Sequence, residues 1–464
     1  AVFTGISVES SESAVRMGRE VFVMIQLSDH FNYPRLLRYT APSIIMMVVT
    51  SIYGVVDGFF VSNFAGKTPF AAVNFIYPFL MILGCVGFMF GTGGSALISL
   101  TFGMGDKKKA NEVFSLLVYT AAACGLVFAL LGFVFAGPVA VLLGAEGQLL
   151  KDSISYARIC LLALPFFILQ YEFQCLFATA EKPKLGLYVT VASGVTNMIL
   201  DALFVAVFHW GLEGAAAATA LSQFVGGVIP LWYFGHENSS LLRLVKCRFD
   251  GRALWKTCTN GSSELMSNIS MSLVSMLYNM QLMKYAGENG IAAYGVLMYV
   301  SFIFQAIFIG YAVGAAPVIG YHHGAHNYGE LKGLLRKSLL LIGGFSILMF
   351  GAGQLLAKPL SMLFVGYDQE LLQITVRAFM IFSFVFLFSG FAILGSSFFT
   401  ALNDGMTSAL ISFLRTLVFQ CMAVLVFPVL WGIDGIWLST VAAEMMAVLM
   451  TVLFLVGKRK RYHY

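Results

Sequence analysis

Charge is what this chain has least of. Asp, Glu, Lys and Arg make up 11% of its 464 residues, against about a quarter in soluble domains. That scarcity excludes an ordinary water-facing surface. With 59% hydrophobic residues and a mean hydropathy of +0.84, it defines an integral membrane protein. Paired cysteines are missing too: the seven Cys form no CxxC pair and no zinc spacing, so free thiols are expected instead of a disulfide framework or metal ribbon. Residues 1–33 lack the basic start, apolar core and small-residue cleavage site of a signal peptide. They are expected to be a cytoplasmic N-terminal segment, for the most part poorly ordered.

Enzyme motifs are absent as well. Gly66-Lys67-Thr68 looks like the end of a P-loop, but the first glycine of that motif would fall on Val61. His322, His323 and His326 cluster without an HExxH pattern or a partnered acid, which reads as a solvated loop. No metal, cofactor or catalytic residue is therefore expected, and the chain is not read as an enzyme. The formal charge of +5 does not point to nucleic acid, because the basic residues are confined to short loops between apolar runs.

What is present is a succession of apolar runs near the roughly 20 residues needed to cross a bilayer. Twelve are read, at 40–61, 70–100, 113–135, 154–178, 185–208, 214–234, 262–283, 292–320, 338–356, 376–401, 408–430 and 436–456. Their lengths call for helices, since barrel strands would be about 10 residues long with alternating polarity. Of the Lys and Arg residues, 21 fall in one set of alternate loops together with both ends of the chain, and 4 in the opposite set. This bias predicts a plasma-membrane protein with both termini in the cytoplasm.

The runs repeat. Phe64-Ala65-Gly66 with Ala71-Ala72 recurs 221 positions later as Tyr285-Ala286-Gly287 with Ala292-Ala293. The same shift carries Trp210-Gly211 and Gly214 onto Trp431-Gly432 and Gly435, and Gly103 onto Gly324. Six is even, so both halves enter the membrane from the same side and the repeat is parallel. Secondary transporters use this geometry, with binding sites where the halves meet. The expected organisation is an N-terminal segment at 1–33, an N-lobe at 34–234, a cytoplasmic linker at 235–258, a C-lobe at 259–457 and a basic tail at 458–464.

Within this apolar frame Asn197 and Asp201 stand one helical turn apart on one face. A carboxylate at such a position is a functional hypothesis by default. The repeat places Val418 and Met422 opposite this pair, and Tyr278 opposite Asp57.

These residues resemble the multidrug and toxic compound extrusion (MATE) transporters, in the bacterial MepA-like branch. The resemblance covers most of 31–456 and rests on several pieces in order. They are Val56-Asp57-Gly58-Phe59-Phe60-Val61 with Ala71-Ala72-Val73, Gly103-Met104-Gly105-Asp106, Glu181-Lys182-Pro183-Lys184, Asn197 to Asp201 with Phe204, and Gly214-Ala215-Ala216 leading to Thr219. It implies an all-α membrane protein of twelve transmembrane helices in two pseudo-symmetric six-helix lobes. Its implied function is export of small organic compounds, often cationic and amphipathic, in exchange for H+ or Na+. Its members lead us to expect a monomer in the lipid bilayer with no nucleic-acid partner.

By the same resemblance Asp57, Asn197, Asp201 and Thr219 occupy the cation-coupling positions of the N-lobe, with Tyr156 close by. Hard oxygen ligands and a desolvated carboxylate suit either ion. The alternative is a hydrogen-bonded polar cluster that only fixes helix packing. Pro42 lies where the family's first helix bends, so cation binding is expected to couple to that bend. Glu172, flanked by Gln170 and Gln174, is read either as part of a drug or proton path or as an ion-pair partner of Arg158. Glu444 and Arg415 are read as a structural interhelical pair, and Glu264 as lying near the cytoplasmic end of the seventh span. Acids that other branches carry deeper in the C-lobe are missing here, which concentrates ion coupling in the N-lobe. A flippase of a lipid-linked precursor remains an alternative, but it would carry more basic residues in its cavity. A receptor or channel would not need two equivalent halves.

Overall fold

A computed structural model describes residues 25–366 and 368–464; expectations for residues 1–24 lie outside the described residues. The fold is helical, with no strand among the described residues. In chain order the helices are α1 (Tyr33–Phe60), α2 (Lys67–Gly84), α3 (Val86–Gly103), α4 (Lys107–Leu142), α5 (Gly147–Leu162), α6 (Leu164–Thr179) and α7 (Pro183–Asp201). They continue with α8 (Gly211–Gly235), α9 (Gly251–Gly324), α10 (Tyr328–Val365), α11 (Gln369–Phe382), α12 (Val385–Ala401), α13 (Gly405–Phe413) and α14 (Phe419–Tyr462).

The twelve spans are recovered from this list by finding the breaks. Eight helices or joined helices among the described residues are long and apolar enough to cross a membrane. Two bent pairs, α5 with α6 at 60° and α11 with α12 at 47°, add two more. Helices α9 and α14 are each interrupted at a glycine, Gly287 (φ 61°, ψ −150°) and Gly432 (φ 59°, ψ −135°). Only glycine takes such angles without strain. The repeat mates of these two, Gly66 and Gly211, also have positive φ, 107° and 57°, so the same hairpin corners recur in both lobes. Dividing α14 at Gly432 supplies the eleventh span. The twelfth is the stretch 251–286, too rich in Ser, Thr and Asn to pass on apolarity, because part of it lines a cavity.

Differences from expectation lie mostly at the ends of elements. Helix α9 starts at Gly251, inside the stretch expected as linker, with the Asp250 carboxylate accepting from the Arg252 and Ala253 amides at 3.0 and 3.1 Å. Helix α14 runs on to Tyr462, and Lys458 bonds Asp404 at 2.6 Å. All seven cysteines are free thiols. Within the histidine cluster His322 departs from the solvated-loop reading, sitting in the last turn of α9, 2% exposed and edge-on to Phe31, while His326 is exposed in the turn that follows.

Each lobe has its own apolar core. The start of the chain divides unexpectedly, since Leu27, Phe31, Leu36 and Tyr39 belong to the C-lobe core although α1 goes on to pack against α7 of the N-lobe. The lobes meet through α3 against α9 and α1 against α9. Glycines allow close approach there: a Cβ on Gly103 would overlap the Tyr321 carbonyl, and one on its repeat mate Gly324 would overlap the Leu100 carbonyl. Residues 25–32 cross this seam. The Leu27 amide donates to Glu181 of the N-lobe at 2.6 Å. On the C-lobe side Glu330 accepts the Phe31 amide at 2.9 Å and pairs with His30 at 2.6 Å, while Lys337 donates to the Phe31 carbonyl. This segment, the described part of the expected N-terminal segment, is an ordered strap.

Candidate cation and substrate sites

Helices α1, α7 and α8 pack side by side in the N-lobe and bring Asp57, Asn197, Asp201 and Thr219 together. Asp201 is fully buried and Asn197 2% exposed; Asp57 and Thr219 are half-buried. The carboxyl groups of Asp57 and Asp201 face one another. One Asp57 oxygen, both Asp201 oxygens, the Asn197 carbonyl oxygen and the Thr219 hydroxyl are buried and make no hydrogen bond. Buried polar atoms in folded proteins nearly always find partners. Several acceptors converging without one make a place for a proton or a small cation, since either supplies the missing positive charge.

Local backbone geometry accompanies the acids. After Asp57, α1 widens into a π-turn over Val61–Ala65, and directly after Asp201, α7 does so over Ala202–Val207. Such turns break the regular hydrogen-bond ladder and gather at functional positions. Tyr156, 3% exposed on α5, points its hydroxyl toward Thr219 without closing a well-formed bond. Gln170 extends the polar layer, bonding Ser193, which in turn donates to the Ser222 carbonyl. Sequence reasoning gave Gln223 no role, although it falls one turn after Thr219 and its side-chain oxygen is also buried and unpaired; that spacing was the available signal.

The C-lobe copy is built differently. At the position repeating Asp57, the Tyr278 hydroxyl bonds Gln420, Ser439 and Thr440, each at 2.8 Å. Thr440 is the repeat mate of Thr219. One copy is a closed, neutral hydrogen-bond hub; the other is an open set of acids.

Two further residues stand apart from this cluster. Glu172 is fully buried on α6 with neither oxygen hydrogen-bonded. The expected partner Arg158 does not reach it and lies over the Phe133 ring at 4.9 Å. Pro42 is buried in α1, which runs as one helix from Tyr33 to Phe60, its neighbourhood closing on the C-lobe where Ile44 meets Gly310. Arg415 and Glu444 form the expected pair at 2.9 Å. They line a cavity of about 340 Å³ together with Glu264, whose face toward that cavity the sequence did not indicate. The cavity wall mixes apolar groups such as Met271, Met298 and Phe302 with many polar ones, among them Asn268, Gln305 and Gln420, so it offers both apolar surface and hydrogen-bonding partners to a small molecule.

Two six-helix lobes in parallel repeat, a cavity against the seam and an unpaired buried acid pair in one lobe define a multi-pass membrane transporter. The chain belongs to the MatE family: its family model matches residues 42–203 and again 265–425, once in each lobe. Among curated relatives, "Multidrug export protein MepA" of Staphylococcus aureus (strain NCTC 8325 / PS 47) is 23% identical over 430 residues, covering 92% of this chain and 94% of that protein. The protein of the same description from Staphylococcus haemolyticus (strain JCSC1435) is 26% identical over 291 residues, 62% of this chain and 64% of that one. Solved structures share the fold. "Crystal structure of MATE in complex with MaL6" has a TM-score of 0.89 at 21% identity, covering 94% of this chain and 98% of that one. "Outward-facing conformation of a multidrug resistance MATE family transporter of the MOP superfamily" likewise reaches 0.89 at 21%, covering 94% and 97%.

Proposed function

We propose that this chain is a secondary active efflux transporter that exports organic, typically cationic and amphipathic compounds in exchange for H+ or Na+. The observation that carries the reading is the contrast between lobes. Asp57 and Asp201 face each other with buried oxygens unpaired, while the repeat-equivalent hub around Tyr278 is neutral and hydrogen-bonded. A site that must stay available for an ion cannot be closed by its own side chains. Asn197 and Thr219 complete the oxygen set, and Tyr156 borders it. Buried Glu172 is assigned to the path of proton or substrate through the N-lobe. Pro42, which removes a backbone donor from α1, is the hinge through which ion binding at Asp57 reshapes the seam. The protein works as a monomer in the plasma membrane with both ends in the cytoplasm, in keeping with the loop charge bias. The relatives described as multidrug export proteins support this reading. A lipid-linked precursor flippase is not favoured, since the cavity lining carries one basic residue, Arg415, against two acids, Glu264 and Glu444.

The deciding experiment uses the purified chain in proteoliposomes with a fluorescent organic cation, driven by an imposed pH gradient or an imposed sodium gradient. Transport under at least one gradient is expected. Transport under neither refutes the exchange reading.

A further inference from the structure

The cavity beside the seam holds three charged side chains, Glu264, Arg415 and Glu444, which formally sum to one negative charge. Arg415 spends only its Nε on its partner, donating to both Glu444 oxygens at 3.0 and 2.9 Å. Its terminal nitrogens make no hydrogen bond to protein among the described residues. Arg415 also sits in a π-turn, Leu414–Val418, the same backbone device that accompanies Asp57 and Asp201. A pair that only pinned two helices together would need neither the widened turn nor a guanidinium whose outer edge is left over.

Resting on the export reading above, we propose that Arg415 is a charge filter: with Glu264 and Glu444 it limits the cavity to organic monocations. The solute's cationic group sits at Glu264, and the free edge of Arg415 faces the rest of the solute. A single positive charge brings the formal sum to zero. A dication leaves an excess positive charge beside a fixed guanidinium in a site of low dielectric, where like charges are costly. Removing Arg415 while keeping both acids makes the sum −2, which suits a dication instead. Specificity by a built-in repulsion of this kind is a general device.

The test compares a permanently charged alkylpyridinium with a bis-pyridinium of matched length, so that no probe titrates. Binding to the full-length protein in detergent is measured by calorimetry, and gradient-driven transport in proteoliposomes is measured separately. Wild type is expected to bind the monocation at least tenfold more tightly than the dication. R415Q should cut that preference at least tenfold by gaining affinity for the dication, and R415K should keep it. R415Q/E444Q, with Glu264 alone again giving −1, should return to the wild-type preference. Should R415Q fail to fold, E264Q serves instead: it leaves the ion pair intact, brings the sum to zero and is expected to lose monocation binding at least tenfold. Equal binding of both probes by wild type, an unchanged preference in folded R415Q, or full monocation affinity in E264Q overturns the filter. Absence of transport with the binding pattern intact would sink the export reading and leave the filter standing.

Discussion

The most demanding prediction concerns Asp201→Asn. The substitution keeps volume and shape but replaces one of two facing carboxylates with an amide. Two unit charges ~4 Å apart interact by about 4 kcal/mol at an effective dielectric of ~20. The same figure measures the repulsion between two ionised carboxylates and the attraction each exerts on a cation between them. Removing one charge therefore costs the site roughly three orders of magnitude in affinity for a coupling ion, and gradient-driven export should drop to background. Stability should move the other way. The new amide can donate to the Asp57 oxygen that has no partner in the wild-type structure, and the carboxylate repulsion is gone. Thermal unfolding in detergent should show the variant melting at or above the wild-type temperature. Paired export assays and melting curves decide the matter: wild-type export in the variant, or a lower melting temperature, would return the cluster to a packing role.

Other expectations are quicker to state. Tyr278→Phe leaves Gln420, Ser439 and Thr440 without their shared partner, so it should lower stability by about 1–3 kcal/mol while gradient-driven export keeps its ion dependence; loss of that dependence would contradict the assignment of coupling to the N-lobe. At Asp404, burial is the largest influence and pushes the carboxyl up, but hydrogen bonds from Lys458, Thr407 and Tyr462, with the Lys458 charge, hold it below its ordinary value. A depressed carboxyl stabilises the fold fully above its unfolded value near ~3.9 and loses that contribution as pH falls through the lower folded one. Melting temperatures of wild type and Asp404→Asn should thus differ most at neutral pH and converge below about pH 4; a gap independent of pH would refute the linkage.

Much of this architecture is legible in the chain before any coordinates. Apolar length sets the number of spans, and the 221-residue shift sets their pairing. That pairing is physical: Gly66, Gly211, Gly287 and Gly432 mark corners that need positive φ, and such positions recur because the corner recurs. Asp57, Asn197 and Asp201 stand out for a similar reason, since a polar or acidic group in an apolar helix is expensive anywhere. What a linear reading misses is set by rotation about a helix axis and by contacts far apart in sequence. The depth of Glu264 reads from its span, but its face toward the cavity depends on how that helix turns against α3 and α14. His322 looks like a loop residue until Phe31, brought back by the strap, covers it. The π-turns carry no sequence signal that apolar periodicity could report, because one extra residue per turn changes the phase without changing the composition.

The strap ahead of α1 carries a mechanical consequence. It is fastened unevenly: on one side a single amide meets Glu181, while on the other Glu330 takes two groups, Lys337 holds a third, and Leu27 and Phe31 are fully buried in the C-lobe core. If the lobes part along that face, the weaker tie yields first, and the strap travels with the second lobe. The helix it leads into goes on to pack with the first lobe and bear Asp57. The strap of residues 25–32 is therefore a tow-line, so that a displacement of one lobe is delivered as tension at the foot of the helix that bears the other lobe's acid.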